Sequence, residues 1–188
     1  FYLLWFMYAC GAGAGLMIIG NLARIGEDLT GAPLGFVLVA ALAVGNGAGR
    51  IVAGILSDKL GRQLTMFGFF VLQAVMILAL SMFTPNSPLS NVVLLAVLSA
   101  LIGANYGSNL ALFPSITKDY YGAKNFGMNY GLVFTAWGIG GFLLAKLAGT
   151  MYVKSGGSFN FAYYTASGLL IAAAVMVFFL KPPKHLEE

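Results

Sequence analysis

Charged residues are scarce in this sequence. Only 9% of its 188 residues are Asp, Glu, Lys or Arg, whereas 60% are hydrophobic, and the mean hydropathy is +0.88. This composition is too apolar for a soluble domain, because a surface that faces water carries far more charged side chains. The sequence therefore predicts an integral membrane protein.

Cysteine and histidine are also nearly absent. Cys10 is the single cysteine, so neither a disulfide framework nor a cysteine metal site can form, and His185 is the single histidine. The apolar stretches contain no constellation of Ser, His, Cys and acidic residues suited to catalysis. We therefore expect no enzyme activity, no metal and no cofactor, and we expect Cys10 to be a small packed residue.

Apolar segments occur at six places along the chain. They cover approximately residues 1–24, 34–58, 62–83, 89–117, 126–153 and 158–181. Each is long enough for the roughly 20 residues that a helix needs to span a bilayer. The runs are too long for the alternating strands of a membrane barrel, and a helix satisfies its own backbone hydrogen bonds. The sequence predicts an all-α membrane protein with six transmembrane helices.

Positive charge is divided unequally between the two ends of the predicted helices. One side carries Lys59, Arg62, Lys118, Lys124, Lys181 and Lys184, whereas the other side carries Arg24 and Lys154. Because Lys and Arg favour cytoplasmic loops, we expect a multi-pass protein of the cell membrane with a cytoplasmic C-terminus. Residues 182–188 form the predicted cytoplasmic tail, and part of it is consistent with an expression tag. No basic face is clustered enough to favour nucleic acid as a partner.

Two cations, Arg50 and Lys146, lie inside apolar segments. The acidic residues all fall at predicted helix ends, in loops or in the tail: Glu27, Asp28, Asp58, Asp119, Glu187 and Glu188. A charge within the bilayer is costly unless it is paired or hydrated. An anion that binds and leaves would supply the missing counter-charge. Asn46 precedes Arg50 by about one turn, so both can face one cavity.

Other polar and aromatic residues accompany these cations. Thr135, Ile139 and Phe142 lie within about 40° of Lys146 on a helical wheel, so we expect them on the same face. In the fourth predicted helix, polar side chains occur at Asn105, Tyr106 and Asn109. Amides within a membrane either join helices by hydrogen bonds or line a cavity, and the sequence leaves both interpretations open.

Glycine is concentrated in the first, second and fifth predicted helices. The second helix alone contains Gly45, Gly47, Gly49 and Gly54. Small residues allow helix backbones to approach closely in a membrane. The pattern fits either static packing or helices that slide and bend during a transport cycle.

The connection after the second helix carries a recognisable motif, Gly54-Ile55-Leu56-Ser57-Asp58-Lys59-Leu60-Gly61-Arg62. Gly61 permits the tight turn that reverses the chain. The pattern G-x-x-x-D-K-x-G-R resembles the cytoplasmic loop signature of the major facilitator superfamily. The resemblance implies that Asp58, Lys59 and Arg62 form an ionic latch, which opens when a transporter changes facing.

Three further stretches narrow the resemblance: residues 106–114, 119–127 and 130–138. They resemble helices ten and eleven of the oxalate/formate antiporter family, relatives of the monocarboxylate transporters, and residues 4–7 and 15–17 resemble helix seven. The resemblance spans nearly the whole chain. It implies that residues 1–181 are the C-terminal half of a transporter, helices seven to twelve, built of two inverted three-helix repeats. The partner would be an N-terminal six-helix half.

The same resemblance assigns the two cations. In that family an arginine on helix eight and a lysine on helix eleven face the substrate path, and the matching positions are Arg50 and Lys146. A guanidinium grips a carboxylate through two parallel hydrogen bonds, which suits Arg50 to substrate binding. A desolvated amine can release its proton, so Lys146 is the candidate for proton coupling. Animal monocarboxylate transporters have aspartate at the position of Asn46, so an aspartate–arginine pair cannot be the proton switch here.

The expected function is alternating-access transport of small carboxylates, with substrate contacts from Arg50, Lys146, Asn46, Asn105, Tyr106, Asn109 and Phe142. The leading hypothesis is symport of a monocarboxylate such as lactate or pyruvate with a proton. The alternative is exchange of a dicarboxylate for a monocarboxylate, as in oxalate/formate antiport, because two cations would balance a dianion. A channel or a structural membrane subunit is the remaining alternative, and conductance far above carrier turnover would favour a channel.

Overall fold

Six long helices make up the computed structural model, which describes residues 1–85 and 87–183. They are α1 (Tyr2–Thr30), α2 (Gly35–Leu60), α3 (Arg62–Leu80), α4 (Val92–Tyr121), α5 (Phe126–Lys154) and α6 (Asn160–Met176), and a 3₁₀ turn, Val177–Phe179, extends α6. All six are long and apolar enough to cross a membrane. The predicted all-α membrane fold with six spans is confirmed. Lys184, His185, Glu187 and Glu188 lie outside the described residues.

Helices α1 and α4 continue at least one turn beyond their predicted ends, to Thr30 and Tyr121. Their last turns contain acidic residues, which ended the apolar pattern although they did not end the helix. α1 stops at Gly31, whose positive φ of 70° and backbone hydrogen bond to Glu27 form a left-handed cap. The predictions place these boundaries too early because the apolar pattern ends before the helical geometry does.

The helices pack in pairs: α2 along α4, α1 along α5, and α3 along α6. If α1, α2 and α3 are exchanged with α4, α5 and α6, respectively, the α2–α4 pair becomes the α1–α5 pair. The α3–α6 pair is unchanged. Successive spans alternate in direction, so α1 and α4 cross in opposite senses. This is the packing expected of two inverted three-helix repeats.

Glycine lets the α2 and α4 backbones touch. A Cβ atom would overlap a backbone carbonyl of the facing helix at each of four positions, Gly45, Gly49, Gly103 and Gly107. The α1–α5 contact is similar, because a Cβ on Gly13 would come within 2.7 Å of the carbonyl oxygen of Gly140. Other glycines, including Gly47 and Gly138, have open space around them. Close packing of helix backbones therefore accounts for some of the glycines in these helices but not for others.

Burial is unequal among the helices. α1 and α4 form the interior of the bundle, whereas α2 and α5 are the least buried spans. Cys10 lies in the core, as expected. Both membrane-embedded cations, Arg50 and Lys146, are on the exposed helices. Below, "the α2–α3 face" means the end of the bundle with the α2–α3 and α4–α5 connections, and "the α1–α2 face" means the opposite end.

Candidate functional site

Arg50 projects from the middle of α2. Its Nε atom donates a hydrogen bond to Asn46 Oδ1 at 3.2 Å, and the side chain is exposed. No carboxylate in residues 1–85 or 87–183 forms an ion pair with it. Because Asn46 uses Nε, the edge formed by the two Nη groups is free to bind an anion with two parallel hydrogen bonds.

The Asn46 amide is held by the close contact between α2 and α4. A Cβ atom on Gly107 would come within 2.8 Å of Asn46 Oδ1, so the α4 backbone lies directly against the amide. Gly107 thus restricts the rotamer of Asn46, and Asn46 orients the guanidinium of Arg50. The expected pairing of Asn46 and Arg50 on one face of α2 is present.

Three tyrosines from three other helices gather near Arg50. The guanidinium is within electrostatic range of the hydroxyls of Tyr8 on α1, Tyr106 on α4 and Tyr130 on α5. The Tyr8 and Tyr130 hydroxyl oxygens are 3.2 Å apart, and Trp137 Nε1 donates to the Tyr106 hydroxyl at 2.8 Å. We call Tyr8, Tyr106, Tyr130 and Trp137 the tyrosine cluster. It offers hydroxyl groups within electrostatic range of a positive charge.

Aromatic rings on α5 extend this cluster. Ring centroids are 5.7 Å apart for Phe126 and Tyr130, 5.6 Å for Tyr130 and Phe134, and 5.3 Å for Phe134 and Trp137. Apolar rings near a guanidinium lower the local dielectric constant, which would strengthen its attraction for an anion. The aromatic residues recur at spacings of three and four in the sequence, a helical pattern that could have identified this face. These residues enter the prediction from sequence only through the family resemblance.

Lys146 lies on another side of α5. Its Nζ atom is 5.8 Å from the ring centroid of Phe142, a cation–π distance. At about 100° per residue, the nine positions between Trp137 and Lys146 place them about 180° apart. Thr135, expected on the Lys146 face, accepts a hydrogen bond of 2.8 Å from Trp5 of α1. The structure does not bring Lys146 into contact with Arg50, and a shared cavity stays a prediction.

Asn105 and Asn109 are buried inside the bundle. Asn109 Nδ2 is 3.1 Å from the Asn105 carbonyl oxygen and 3.4 Å from Gln73 Oε1 of α3. Gln73 in turn donates to the Gly11 carbonyl of α1 at 3.0 Å. This chain of bonds joins α4, α3 and α1, so Asn109 acts as a link between helices in this conformation. The sequence reasoning missed Gln73, the central member.

The predicted latch contains an additional partner. Arg62 donates from Nη1 to Asp58 Oδ1 at 3.0 Å and from Nε to Asp119 Oδ2 at 2.9 Å. Arg62 therefore connects the ends of α2, α3 and α4 on the α2–α3 face. Lys59 lies in the last turn of α2 and is exposed. Asp119 was not assigned a role from the sequence, although the topology places the end of α4 on this face.

A second polar cluster lies on the α1–α2 face. The Tyr152 hydroxyl of α5 donates to Asp28 Oδ2 of α1 at 2.9 Å, and the Arg24 guanidinium carbon is 5.2 Å from the Tyr152 ring centroid. Sequence patterns alone do not assign a function to these residues. Arg24 and Asp28 are one turn apart on α1, so both can reach the same tyrosine.

Comparison with known proteins establishes the family. The family model described as Major Facilitator Superfamily matches residues 4–188. The chain belongs to the Major Facilitator Superfamily. Six apolar helices and the motif around Asp58 and Arg62 agree with this membership.

Individual members of the superfamily are similar over most of the chain. The uncharacterized MFS-type transporter YhjX of Escherichia coli is 31% identical over 144 residues, which cover 74% of this chain and 34% of the relative. The oxalate:formate antiporter of Oxalobacter formigenes is 32% identical over 139 residues, with coverages of 72% and 32%. The MFS transporter asaE of Aspergillus flavus is 26% identical over 162 residues, with coverages of 77% and 35%. The chain thus matches about one third of the length of these relatives.

Proposed function

We propose that this facilitator-family chain belongs to a secondary carrier that moves small carboxylates by alternating access, with Arg50 as the carboxylate-binding group. The supporting observation is the geometry of Arg50. It is a guanidinium in mid-helix, its Nε is held by Asn46, and no carboxylate of the described residues neutralises it. A small anionic substrate would satisfy the free Nη edge.

The tyrosine cluster suits the same substrate. Trp137 can only donate, so the Tyr106 oxygen must accept that bond, and the Tyr106 proton remains available for a further acceptor. A carboxylate that pairs with Arg50 could accept this proton. We propose that Arg50 supplies charge and that Tyr106 supplies orientation, while the aromatic wall of α5 contacts the apolar part of the substrate.

A monocarboxylate such as lactate or pyruvate is the proposed substrate, because one cation, Arg50, is within electrostatic range of the tyrosine cluster. Cotransport with a proton would make the cycle electroneutral. Lys146 is the proposed coupling group, since an amine can release its proton where an arginine cannot. Its position on another side of α5 would keep it from competing with Arg50 for the substrate carboxylate.

Exchange of a dicarboxylate for a monocarboxylate is the second candidate. It is favoured by the similarity to the oxalate:formate antiporter of Oxalobacter formigenes. A dianion needs a second positive charge, and Lys146 would have to approach Arg50 in another conformation to supply it. We further propose that the chain is the C-terminal half of the carrier in the cell membrane, with a cytoplasmic C-terminus. The exposed sides of α2 and α5 would then face an N-terminal six-helix half.

Uptake by the complete protein in liposomes tests these proposals. Lactate, oxalate and formate are compared with and without an imposed pH gradient. Lactate accumulation that follows the gradient supports symport, whereas oxalate uptake that requires internal formate supports exchange. Arg50→Gln should abolish uptake of the substrate, and Lys118→Gln, which removes a cation at the end of α4, should not. Transport that survives Arg50→Gln would refute the assignment of Arg50.

A further inference from the structure

The two helix pairs that touch through glycine, α1–α5 and α2–α4, also carry polar residues at equivalent positions near their ends. Asp28 lies two residues before the end of α1, and Asp119 lies two residues before the end of α4. Likewise, Tyr152 lies two residues before the end of α5, and Asp58 lies two residues before the end of α2. Exchanging the two three-helix repeats therefore places Asp28 on Asp119 and Tyr152 on Asp58.

Polar contacts join the residues of each helix pair at the carboxyl ends of two parallel helices. On the α2–α3 face, Arg62 bridges Asp58 of α2 to Asp119 of α4. On the α1–α2 face, Tyr152 of α5 donates directly to Asp28 of α1, and Arg24 covers the tyrosine ring. The chemistry differs, but both sets tie together the same ends of equivalent helices.

We propose that Arg24, Tyr152 and Asp28 form a second conformational clamp, which favours closure of the α1–α2 face and opposes the action of the Asp58–Arg62–Asp119 cluster. The proposal rests on the alternating access proposed above, but it does not depend on the identity of the substrate. Loosening either clamp would bias the protein toward opening on that face.

The packing around the end of α1 supports a role for this clamp. A cavity of about 190 Å³ adjoins Asp28 and extends between the ends of α1, α3 and α6; its lining includes Phe83, Asn160 and Tyr163. The end of α1 is thus incompletely packed on that side. On the other side it is held by the Tyr152 hydroxyl, so loss of this bond would leave room for the helix end to move.

The middle of the α1–α5 pair provides a natural pivot. The backbones touch where Gly13 meets Gly140, near the middle of both helices, so this close approach is the point about which their crossing angle can change. A small rotation at this contact would separate the helix ends beyond it. The Tyr152–Asp28 hydrogen bond joins those ends, where such a rotation moves the two helices farthest relative to each other.

Paired thiol reporters on α5 can test the clamp in the complete protein. Gly131 and Gly149 both have open space around them, and 18 residues at about 100° each place them on the same side of α5. Gly131→Cys reports on the α2–α3 end and Gly149→Cys on the α1–α2 end, each in a Cys10→Ser background. The readout is the ratio of labelling rates, Gly149→Cys to Gly131→Cys, with a water-soluble maleimide in detergent.

Tyr152→Phe removes the hydroxyl but keeps the ring beneath Arg24. We expect it to raise the labelling ratio roughly fivefold, the change that about 1 kcal/mol produces in an equilibrium. Asp119→Asn should lower the ratio, and the double variant should return it toward the parent value. Tyr164→Phe, which alters an exposed tyrosine of α6, is the matched control and should have no effect.

Asp28→Asn tests the same bond if Tyr152→Phe folds poorly. It keeps the size of the side chain and weakens the hydrogen-bond acceptor, so we expect a smaller rise in the labelling ratio. A ratio that Tyr152→Phe and Asp28→Asn leave unchanged, or one that Asp119→Asn moves in the same direction, would overturn the proposal. Labelling needs no substrate, so these results stand even if carboxylate uptake fails.

Discussion

Trp137 on α5 donates a 2.8 Å hydrogen bond to the hydroxyl of Tyr106 on α4. The indole N–H cannot accept a hydrogen bond, so the direction of this bond is fixed, and the tyrosine proton must point elsewhere. Because Arg50 lies within electrostatic range of the same hydroxyl, an anion bound to Arg50 is a suitable acceptor. This relationship makes Tyr106 a test of the proposed binding site.

Tyr106→Phe should raise the KM for the transported carboxylate by roughly fivefold, because one hydrogen bond of about 1 kcal/mol to the substrate is lost. The maximal rate should change less. Uptake kinetics in liposomes give both quantities. Trp137→Phe is the matched control, since it removes the indole donor but leaves the tyrosine proton in place. Equal losses in the two variants would show that the bond between the helices matters and that a substrate contact does not.

Arg50→Lys should weaken carboxylate binding by roughly 1–3 kcal/mol. The charge remains, but the planar fork that donates two parallel hydrogen bonds is lost. Competition binding to the purified complete protein measures the effect. Asn46→Ala should weaken binding less than Arg50→Lys, because it frees the guanidinium without removing it. Wild-type affinity in Arg50→Lys would show that charge alone is sufficient.

Lys146→Arg separates proton coupling from binding. Arginine keeps the positive charge but does not release its proton at physiological pH. We expect substrate binding and exchange to persist while accumulation driven by a pH gradient fails. Uptake is measured with the gradient imposed and with it collapsed by an ionophore. If accumulation still follows the gradient, Lys146 is a fixed positive charge, and the exchange mechanism gains support.

Asp58→Asn should lower the transport rate more than it lowers substrate affinity. Arg62 would keep Asp119 but lose its ionic partner at the end of α2, far from Arg50 along the helix. Initial rates at saturating substrate and the KM distinguish the two effects. Lys59→Gln is a useful comparison, because this exposed neighbour belongs to the same motif. An unaltered rate in Asp58→Asn would argue against a latch.

Gly107→Ala should destabilise the protein by about 1–3 kcal/mol, because the new methyl group would overlap the Asn46 carbonyl across the α2–α4 contact. Gly47→Ala should be nearly neutral, since its surroundings are open. Thermal unfolding of the detergent-solubilised protein compares the two variants. Equal midpoints would mean that α2 and α4 separate at little cost.

The fold was predictable because hydropathy and length alone identify membrane helices. The positions of Arg50 and Asn46 on one face followed from helical periodicity within α2. The tyrosine cluster did not, because Tyr8, Tyr106 and Tyr130 come from three helices and meet only after packing. The pairing of Arg62 with Asp119 also depends on how α4 ends beside α2. Periodicity places residues around a single helix, but it contains no information on neighbouring helices.

The glycine contact between α2 and α4 has a consequence for how a substrate would be carried. With no side chains between the two backbones at Gly45, Gly49, Gly103 and Gly107, α2 cannot shift inward without displacing α4. Arg50 and Tyr106 would then travel together as one preassembled half of a binding site. A substrate would meet the same spacing between charge and hydroxyl from either side of the membrane, and reorientation would not require the contacts on this half to be rebuilt.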